Sequence, residues 1–447
     1  MRTIVRKLIC SSFLGSAILA APASAQTAQT PPQAPAHPPG FVQDSQLNLL
    51  LRNLYWNHDR KNGLPDNREW GQALRLAFQS GYTPGPVGVG VDLNAYGVVR
   101  LGGDSAHVGR AGVLVPDGHG GVHDESSTAE GAFKLKGFAS ELRYGNNLRP
   151  YNPVFAPADT RLLPASATGL WLTSQPRQDL FLEAGRMTKA RDFNQVSHDG
   201  RFYASYAGVS TDQVLFLGGR HDLDASTRFS AYGSEFRDIW KQLYLAAGHG
   251  WKMPGDDTLN LDLSAYRSLD SGAKRAGDID VTAWGLTLSY VADAHTFKVA
   301  RQQVHGDQPL DYLGMGPGTY HDSIYLPNSS QLADFNGPHE KSWGFFYVLD
   351  LGKLDLARIP GASMQLRYVR GSGADGNHLD RTSPYAYYAN GEKHWESDVD
   401  LRYVVQSGSA RNLSMRLRYA VHRMTQGTSG ASSNQFRLIF EYPLSIL

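Results

Sequence analysis

Apolar and polar residues alternate with a period of two along much of this chain, and this pattern most constrains its fold. Beyond residue 40, no stretch approaches the ~18 consecutive apolar residues that a membrane-spanning helix needs. A period of two is typical of β-strands with one apolar and one polar face. The clearest examples lie at 87–96, 259–264, 284–290, 413–420 and 436–442. The sequence therefore predicts a chain of short amphipathic strands.

The polar faces of these strands carry full charges, as Arg416 and Arg418 do between Met415 and Leu417. Aromatic residues also lie at expected strand ends, where interfacial girdles lie in membrane barrels: Tyr82, Tyr144, Tyr290 and Tyr442. Both observations favour lipid on the outside of the sheet. A sheet within lipid must close to satisfy its edge hydrogen bonds, so we predict an all-β, transmembrane antiparallel β-barrel.

The length of the chain sets the expected size of this barrel. Roughly 400 residues at about 20–25 residues per strand and connection give about 16–18 strands, which leave an aqueous lumen. Some connections are tight, such as 254–257 and 407–409. Others are long and polar or glycine-rich, at 102–130, 145–168, 305–340 and 371–393. Short turns at one end and long loops at the other are typical of outer-membrane barrels.

The first 25 residues have the layout of a secretory signal peptide. Arg2, Arg6 and Lys7 precede an apolar stretch at 8–21, and Ala-Ser-Ala at 23–25 forms an A-x-A cleavage site. An N-terminal membrane anchor is the alternative, but the apolar stretch is too short for one.

The rest of the chain divides into two expected parts. A proline-rich spacer occupies 26–40, with the sequence TPPQAPAHPPG at its end, and should be extended. The barrel domain is expected over 41–447.

Composition excludes several classes of function. The balance of 43 Lys and Arg against 42 Asp and Glu argues against nucleic-acid binding, which needs a basic excess. The only cysteine, Cys10, lies in the predicted signal peptide, so the mature chain would contain neither a disulfide nor a cysteine zinc site. No motif indicates a metal or a cofactor, and we expect neither.

Several stretches are similar to one family of channels, in the same order and at similar spacing. They are LNLLLRNLYWNHD (47–59), NPVF (152–155), RLLP (161–164), YASYAG (203–208), DAHTFKVARQQVHGDQP (293–309), DFNGPHEKSW (334–343), RYVVQSGSARNLSMRLR (402–418) and RLIFEYPLSIL (437–447). Together they resemble the OprD family of substrate-specific outer-membrane porins, also called outer-membrane carboxylate channels. The matching stretches are spread over almost all of the predicted mature chain.

The resemblance implies an 18-stranded barrel in the outer membrane of a Gram-negative bacterium, as a monomer or a loose homotrimer. It implies an inward-folded constriction loop and facilitated diffusion of amino acids or of aromatic and other organic acids. Expected partners are these solutes, outer-membrane lipids and the barrel-assembly machinery. The chain ends in Leu447 where many barrels end in Phe. Pro443 cannot donate a ladder hydrogen bond, so the last strand is expected to stop there.

Strand alternation identifies the arginines that should point into the lumen, because an arginine facing lipid near the midplane costs roughly 2–4 kcal/mol. They are Arg52, Arg367, Arg402, Arg416, Arg418 and Arg437, and the family's basic ladder suggests Arg143 as well. Guanidinium groups can replace the water around a carboxylate as charge-assisted donors, so an anion could step along this series. Alternatively, these arginines pair with acids such as Asp398, Asp400 and Glu441 and brace the wall.

Two loops are candidates for the narrowest part of the lumen. The loop at 145–168 resembles the constriction loop of the family, and Asp159 and Arg161 could present opposite charges there. The alternative is an ordinary capping loop. By the same resemblance, Asp307 and Asp322 are candidates for an acidic wall that would favour a solute amine, although they could equally lie in a solvated loop.

The sequence thus predicts a porin for small carboxylates, with aromatic or other monocarboxylic acids favoured because candidate arginines outnumber candidate acids. A porin for basic amino acids or peptides is the main alternative. A non-conducting structural barrel and a soluble secreted β-protein are weaker ones. An enzyme is not expected: His305, Asp307 and Ser323 could form a triad on paper, but no G-x-S-x-G motif is present.

Overall fold

The computed structural model describes residues 40–61, 63–103, 106–355, 358–425 and 430–447, and 21 β-strands and two short 3₁₀ helices make up its regular structure. The strands are β1 (Gln46–Arg60), β2 (Asn67–Gln79), β3 (Gly88–Gly102), β4 (Glu125–Gly137), β5 (Ser140–Leu148), β6 (Ser166–Arg177), β7 (Leu180–Arg191), β8 (Phe202–Ala204), β9 (Ser210–Thr211), β10 (Val214–Asp222), β11 (Thr227–Phe236), β12 (Trp240–Lys252), β13 (Thr258–Asp270), β14 (Asp280–Ala292), β15 (His295–His305), β16 (Leu313–Gly314), β17 (Lys341–Asp350), β18 (Ala362–Asp375), β19 (Asn390–Val404), β20 (Ser414–Met424) and β21 (Ser433–Ser445). The helices are Pro254–Asp256 and Leu351–Lys353. No helix in the described ranges is long and apolar enough to cross a membrane.

Eighteen of these strands form one closed antiparallel barrel. Each pairs with the next along the chain, except that β7 pairs with β10 and β15 with β17, because β8, β9 and β16 form a separate small sheet. The barrel closes where β21 pairs with β1, from Asn48 opposite Ser445 to Arg60 opposite Ser433. The predicted all-β class, barrel closure and strand number are confirmed. The predicted signal peptide and most of the spacer lie outside the described residues.

The last strand continues past Pro443 to Ser445, so the expected stop at this proline was wrong. The backbone N–H of Ile446 donates to the oxygen of Leu47 at 2.8 Å. Because N–H groups alternate in direction along a strand, position 443 points away from β1 and toward β20. The pairing of β20 begins only at Ser414, opposite Glu441. The missing donor of Pro443 therefore breaks no ladder hydrogen bond.

The two ends of the barrel differ in their connections. At the end where β1 begins and β21 ends, which we call the turn end, two-residue turns lie at 138–139, 178–179 and 293–294. At the opposite end, called the loop end, the long connections are 103–124, 149–165, 192–213, 306–340 and 376–389. In outer-membrane barrels the short turns face the periplasm and the long loops face outside the cell.

The strands place apolar side chains on the outside of the barrel and polar side chains on the inside, which is the reverse of a soluble protein. Leu93 and Phe133 point outward and are 55% and 66% exposed, whereas Asp92 and Gln302 point inward and are 2% and 0% exposed. An outer face of this kind needs a hydrocarbon environment, because apolar area of this extent is unfavourable in water.

Loops from the loop end fold into the lumen and pack on one side of the wall. The ring of Phe155 lies 5.7 Å from that of Phe202 and 5.4 Å from that of Phe216 on β10. The Tyr266 hydroxyl on β13 donates to the oxygen of Pro153 at 3.0 Å and accepts from the N–H of Tyr325 at 2.8 Å. One tyrosine thus joins the 149–165 and 306–340 loops to the β13 wall and narrows the lumen from this side.

One carboxylate binds four backbone N–H groups of the 103–124 loop inside the barrel. Glu69, which points inward from β2, accepts hydrogen bonds from the N–H groups of Arg110, Ala111, Val113 and Leu114 at 2.9–3.1 Å. Four backbone donors satisfy the carboxylate in place of water, so its burial is tolerated. The loop therefore covers the β1–β2 side of the lumen at the loop end.

Candidate functional site

Arginines on neighbouring strands from β18 to β2 point into the lumen and form a basic wall. Arg52, Arg367, Arg418 and Arg437 are buried, although the residues beside them on the same strands face lipid. The register places Arg418 opposite Arg437 and Arg402 opposite Arg416. Sequence alternation found six arginines of this wall and missed Arg75 on β2, although Leu74 and Leu76 flank it by the same pattern.

Asp159 anchors the 149–165 loop to two strands of the basic wall. Its Oδ1 atom accepts from Nη1 of Arg52 at 2.7 Å and from Nη1 of Arg75 at 2.8 Å. The same two arginines also donate to the oxygens of Arg161 and Leu162. The carboxylate predicted to present its charge to the slit is therefore engaged in holding the loop.

Arg161 and Arg437 share one aromatic ring. Their guanidinium carbons lie 4.0 Å and 3.8 Å from the ring centre of Trp56 on β1, and Arg161 also lies 4.9 Å from the ring of Phe193. Neither guanidinium contacts a carboxylate in the described part of the chain. Each donates instead to backbone oxygens, of Ala111 and Gln331 respectively. Two cations are thus held side by side without a directly bound counter-ion.

Asp400 on β19 pairs with two of the predicted arginines. Nε of Arg416 donates to both its oxygens at 2.8 and 3.0 Å, and Nε of Arg418 lies 3.1 Å from Oδ2. One strand over, Nε of Arg367 lies 3.2 Å from Oδ2 of Asp398. These arginines pair with wall acids, as the alternative interpretation of the sequence supposed.

Arg402 and Arg143 lie nearer the turn end of the barrel. Nε of Arg402 donates to the hydroxyl of Ser414 at 3.4 Å and contacts no carboxylate in the described structure. Arg143 lies on β5, where it binds Glu141 and lies 3.5 Å from Asp92. The structure therefore does not bring Arg143 into the basic wall.

Tyr82, expected in an outer aromatic girdle, lies instead at the inner mouth of the barrel. Its hydroxyl donates to Glu141, and the Nζ atoms of Lys134 and Lys136 lie 5.0 and 5.3 Å from its ring centre. A cavity of about 600 Å³ lies here beside the turn at 80–85. The expectation was wrong because the 80–87 connection turns the ring inward.

Asp322 lies on the packed-loop side and faces the basic wall. Its N–H donates to the oxygen of Ala156 at 3.0 Å, and its Oδ2 atom is buried without a hydrogen-bond partner. It interacts electrostatically with Arg161 and Arg418. Burial, with the nearby charge of Asp159, raises the pKa of Asp322 to about 7. Asp322 is thus an acidic group of the slit whose charge changes near neutral pH.

Asp307 is not in the slit. Its Oδ1 atom lies 2.9 Å from Nε2 of His339, and both side chains are largely exposed. The possible triad is not assembled either, since Nε2 of His305 contacts Trp284, Oγ of Ser323 accepts from the N–H of Leu313, and none contacts another. Within the described ranges, no three His, Cys, Asp or Glu side chains are placed to hold a metal ion.

Comparisons with known proteins match almost the whole chain. Residues 39–446 match the family described as outer membrane porin, OprD family. Porin D of Pseudomonas aeruginosa is 42% identical over 414 residues, which cover 91% of this chain and 92% of that protein. A crystal structure of P. aeruginosa OprD superposes with a TM-score of 0.80 at 40% identity, over 91% of this chain and 97% of that chain. The crystal structure of P. aeruginosa OpdK with vanillate has a TM-score of 0.79 at 30% identity, over 91% of this chain and all of that one (100%).

Proposed function

The chain belongs to the OprD family of outer-membrane porins, and from this premise we propose that it conducts small carboxylate-bearing solutes through the slit between its basic wall and Asp322. Porins are channels rather than enzymes, and they lie in the outer membrane of Gram-negative bacteria. The proposal concerns the solute and the residues that select it.

The pair of Arg161 and Arg437 on Trp56 carries the proposal. A buried cation without a counter-ion is costly, and it attracts any anion that reaches it. A solute carboxylate that leaves bulk water in the slit can regain its hydrogen bonds from these guanidinium groups. Arg402, nearer the turn end, supports a further step toward the periplasm. Conduction requires that no single step bind too tightly.

The balance of charge favours monocarboxylates over basic solutes. Arg161, Arg402 and Arg437 bind no carboxylate in the described residues, whereas Asp322, which interacts with Arg161 and Arg418, is only partly ionised near neutral pH. A net positive slit attracts anions and repels cations. The structure of OpdK with vanillate, an aromatic carboxylate, is consistent with such a solute in a family relative.

Asp322 also supports a second candidate, an amino acid. A zwitterion could direct its carboxylate to Arg437 or Arg418 and its amine toward the charge of Asp322, whose buried Oδ2 atom has no hydrogen-bond partner. Ionised Asp322 would then stabilise the amine, so this candidate predicts faster permeation at higher pH. A simple monocarboxylate would show the reverse.

Single-channel recording in planar bilayers tests the proposal. We expect a small conductance that prefers anions in a KCl gradient and is blocked by benzoate more strongly than by arginine. Block by arginine alone would replace the monocarboxylate proposal with the amino acid one. Folded protein without conductance would contradict both and support a non-conducting barrel.

We expect anion preference to increase as the pH falls from about 8 to about 6. The pKa of Asp322 is about 7, so its carboxylate is ionised above this range and neutral below it. Protonation removes this negative charge, so less of the positive charge of the basic wall is neutralised. The reversal potential in a KCl gradient measures the change, and Asp322→Asn should remove most of it. An equal pH dependence in the variant would assign the effect to other groups.

A further inference from the structure

An alternating row of arginine and tryptophan crosses five neighbouring strands on the outer surface of the barrel. Arg301 on β15 lies opposite Trp343 on β17, and Trp343 lies opposite Arg370 on β18. Arg370 lies opposite Trp395 on β19, which in turn lies opposite Arg423 on β20. The guanidinium of Arg301 lies 5.2 Å from the ring centre of Trp343. We call these five residues the arginine–tryptophan surface.

This surface lies where the apolar outer face of the barrel ends. Toward the middle of each strand, the next outward residues are mainly apolar: Val299, Phe345, Tyr368, Ser397 and Val421. Toward the loop end, the next outward residues are polar or basic: Gln303, Lys341, Ser372 and Lys393. Tryptophan and arginine are typical of this interfacial depth, where charge is tolerated better than at the midplane.

In the described structure, the cations of this surface bind no carboxylate. Arg301 donates to the oxygen of Ser342, and Arg423 donates to the oxygens of His422 and Ser433. No carboxylate in the described residues contacts Arg301, Arg370, Arg423 or the two lysines beside them.

Some outward cations elsewhere near the loop end are paired with acids, whereas Arg186 donates to the side-chain oxygen of Gln213. Arg267 lies 2.5 Å from Asp280, and Lys241 lies 3.9 Å from Glu235. The β15–β20 sector therefore differs in bringing five cations that bind no carboxylate in the described structure, Arg301, Lys341, Arg370, Lys393 and Arg423, onto neighbouring strands.

We propose that the arginine–tryptophan surface binds the phosphorylated headgroup of a glycolipid in the outer leaflet of the membrane. The long loops place this surface at the level of the external headgroups. Guanidinium groups bind phosphate oxygens with paired, charge-assisted hydrogen bonds, and the two tryptophans provide the amphipathic contacts of an interface. The acyl chains lie below, against the apolar row of Phe345 and Tyr368. This binding does not depend on which solute the channel conducts.

The test compares two triple variants with the same loss of charge. One is Arg301→Gln/Arg370→Gln/Arg423→Gln, and the matched control is Arg186→Gln/Lys241→Gln/Arg267→Gln, whose residues also face outward near the loop end. Each protein is reconstituted into phosphatidylcholine vesicles that contain lipid A, then extracted in mild detergent. Native mass spectrometry counts the lipid A molecules that each folded barrel retains. Heat-modifiable migration shows that the barrels are folded.

We expect the wild-type protein and the control to retain lipid A, and the Arg301/Arg370/Arg423 variant to retain at least tenfold less. Dephosphorylated lipid A should not be retained by the wild type. Arg370→Gln alone, at the centre of the row, should cause a severalfold loss if the triple variant does not fold. Equal retention by variant and wild type, or equal loss in the control, would overturn the proposal. A change of oligomeric state without a change in lipid A would instead assign the surface to contacts between copies of this chain.

Discussion

Replacement of Arg416 and Arg418 together by glutamine should reduce carboxylate permeation by about 10- to 100-fold, which corresponds to the loss of one hydrogen bond to a charged group, roughly 1.5–3 kcal/mol. In the wild-type protein both guanidinium groups bind Asp400. Their loss removes two donors and also leaves the Asp400 carboxylate uncompensated in the lumen, where it repels an entering anion. Uptake of a labelled benzoate into proteoliposomes, relative to that of a neutral sugar, measures the effect.

A triple variant separates these two causes. Adding Asp400→Asn to Arg416→Gln/Arg418→Gln removes the unpaired negative charge but does not return the donors. If repulsion by Asp400 dominates, the triple variant should recover most of the benzoate uptake. If the arginines bind the solute, it should remain slow. Equal losses for benzoate and the sugar in both variants would mean that the arginines only support the wall.

The faces of the strands could be predicted from the sequence because they depend on local order alone. Side chains alternate with a period of two in any strand, so Leu366 and Tyr368 facing lipid require Arg367 to face the lumen. The same rule applied to Leu74 and Leu76 would have found Arg75. That rule needs no knowledge of which strands pair.

The partners of these side chains could not be predicted, because they depend on contacts between distant parts of the chain. Asp159 is bound by Arg52 and Arg75 from strands about a hundred residues away in sequence, and only the folded loop brings them together. The 192–213 connection was missed as a loop because its short strands β8 and β9 carry ordinary strand residues. Whether an acid such as Asp307 or Asp322 reaches the slit is likewise decided by the path of the 306–340 loop.

In the arginine–tryptophan surface, too, the face of each residue depends on local sequence, whereas its neighbours depend on the pairing of strands. Each of its residues could be assigned to the outer face from alternation on its own strand. Their alignment into one row depends on four successive strand registers, which the sequence does not specify by itself. Charge outside and charge inside the barrel therefore look alike in sequence, although one group meets lipid headgroups and the other meets the lumen.

Asp159→Asn should release the 149–165 loop from the basic wall, widen the slit and increase the single-channel conductance. Burial alone would raise the pKa of Asp159, but the guanidiniums of Arg52 and Arg75 hold it below its ordinary value, so the group is ionised at neutral pH. Asparagine keeps the size of the side chain and removes the charge that both arginines share. Breaking a buried ion pair in this way lowers the free energy of unfolding by about 3–5 kcal/mol. Conductance and selectivity in bilayers, with thermal unfolding of the same sample, measure both effects.

Glu441→Gln provides the matched control, because it removes the other carboxylate that binds Arg52 and leaves the contacts of the 149–165 loop in place. Arg52 donates to Oε1 of Glu441 at 2.7 Å through Nε, while its Nη1 remains bound to Asp159. This variant should lose stability but keep the small conductance of the wild type, since Arg75 and Arg52 still hold the loop. An unchanged conductance in Asp159→Asn would show that apolar packing of Phe155 and the Tyr266 hydrogen bonds hold the loop unaided. A rise in both variants would instead assign the change to the wall of the barrel and not to the loop that narrows it.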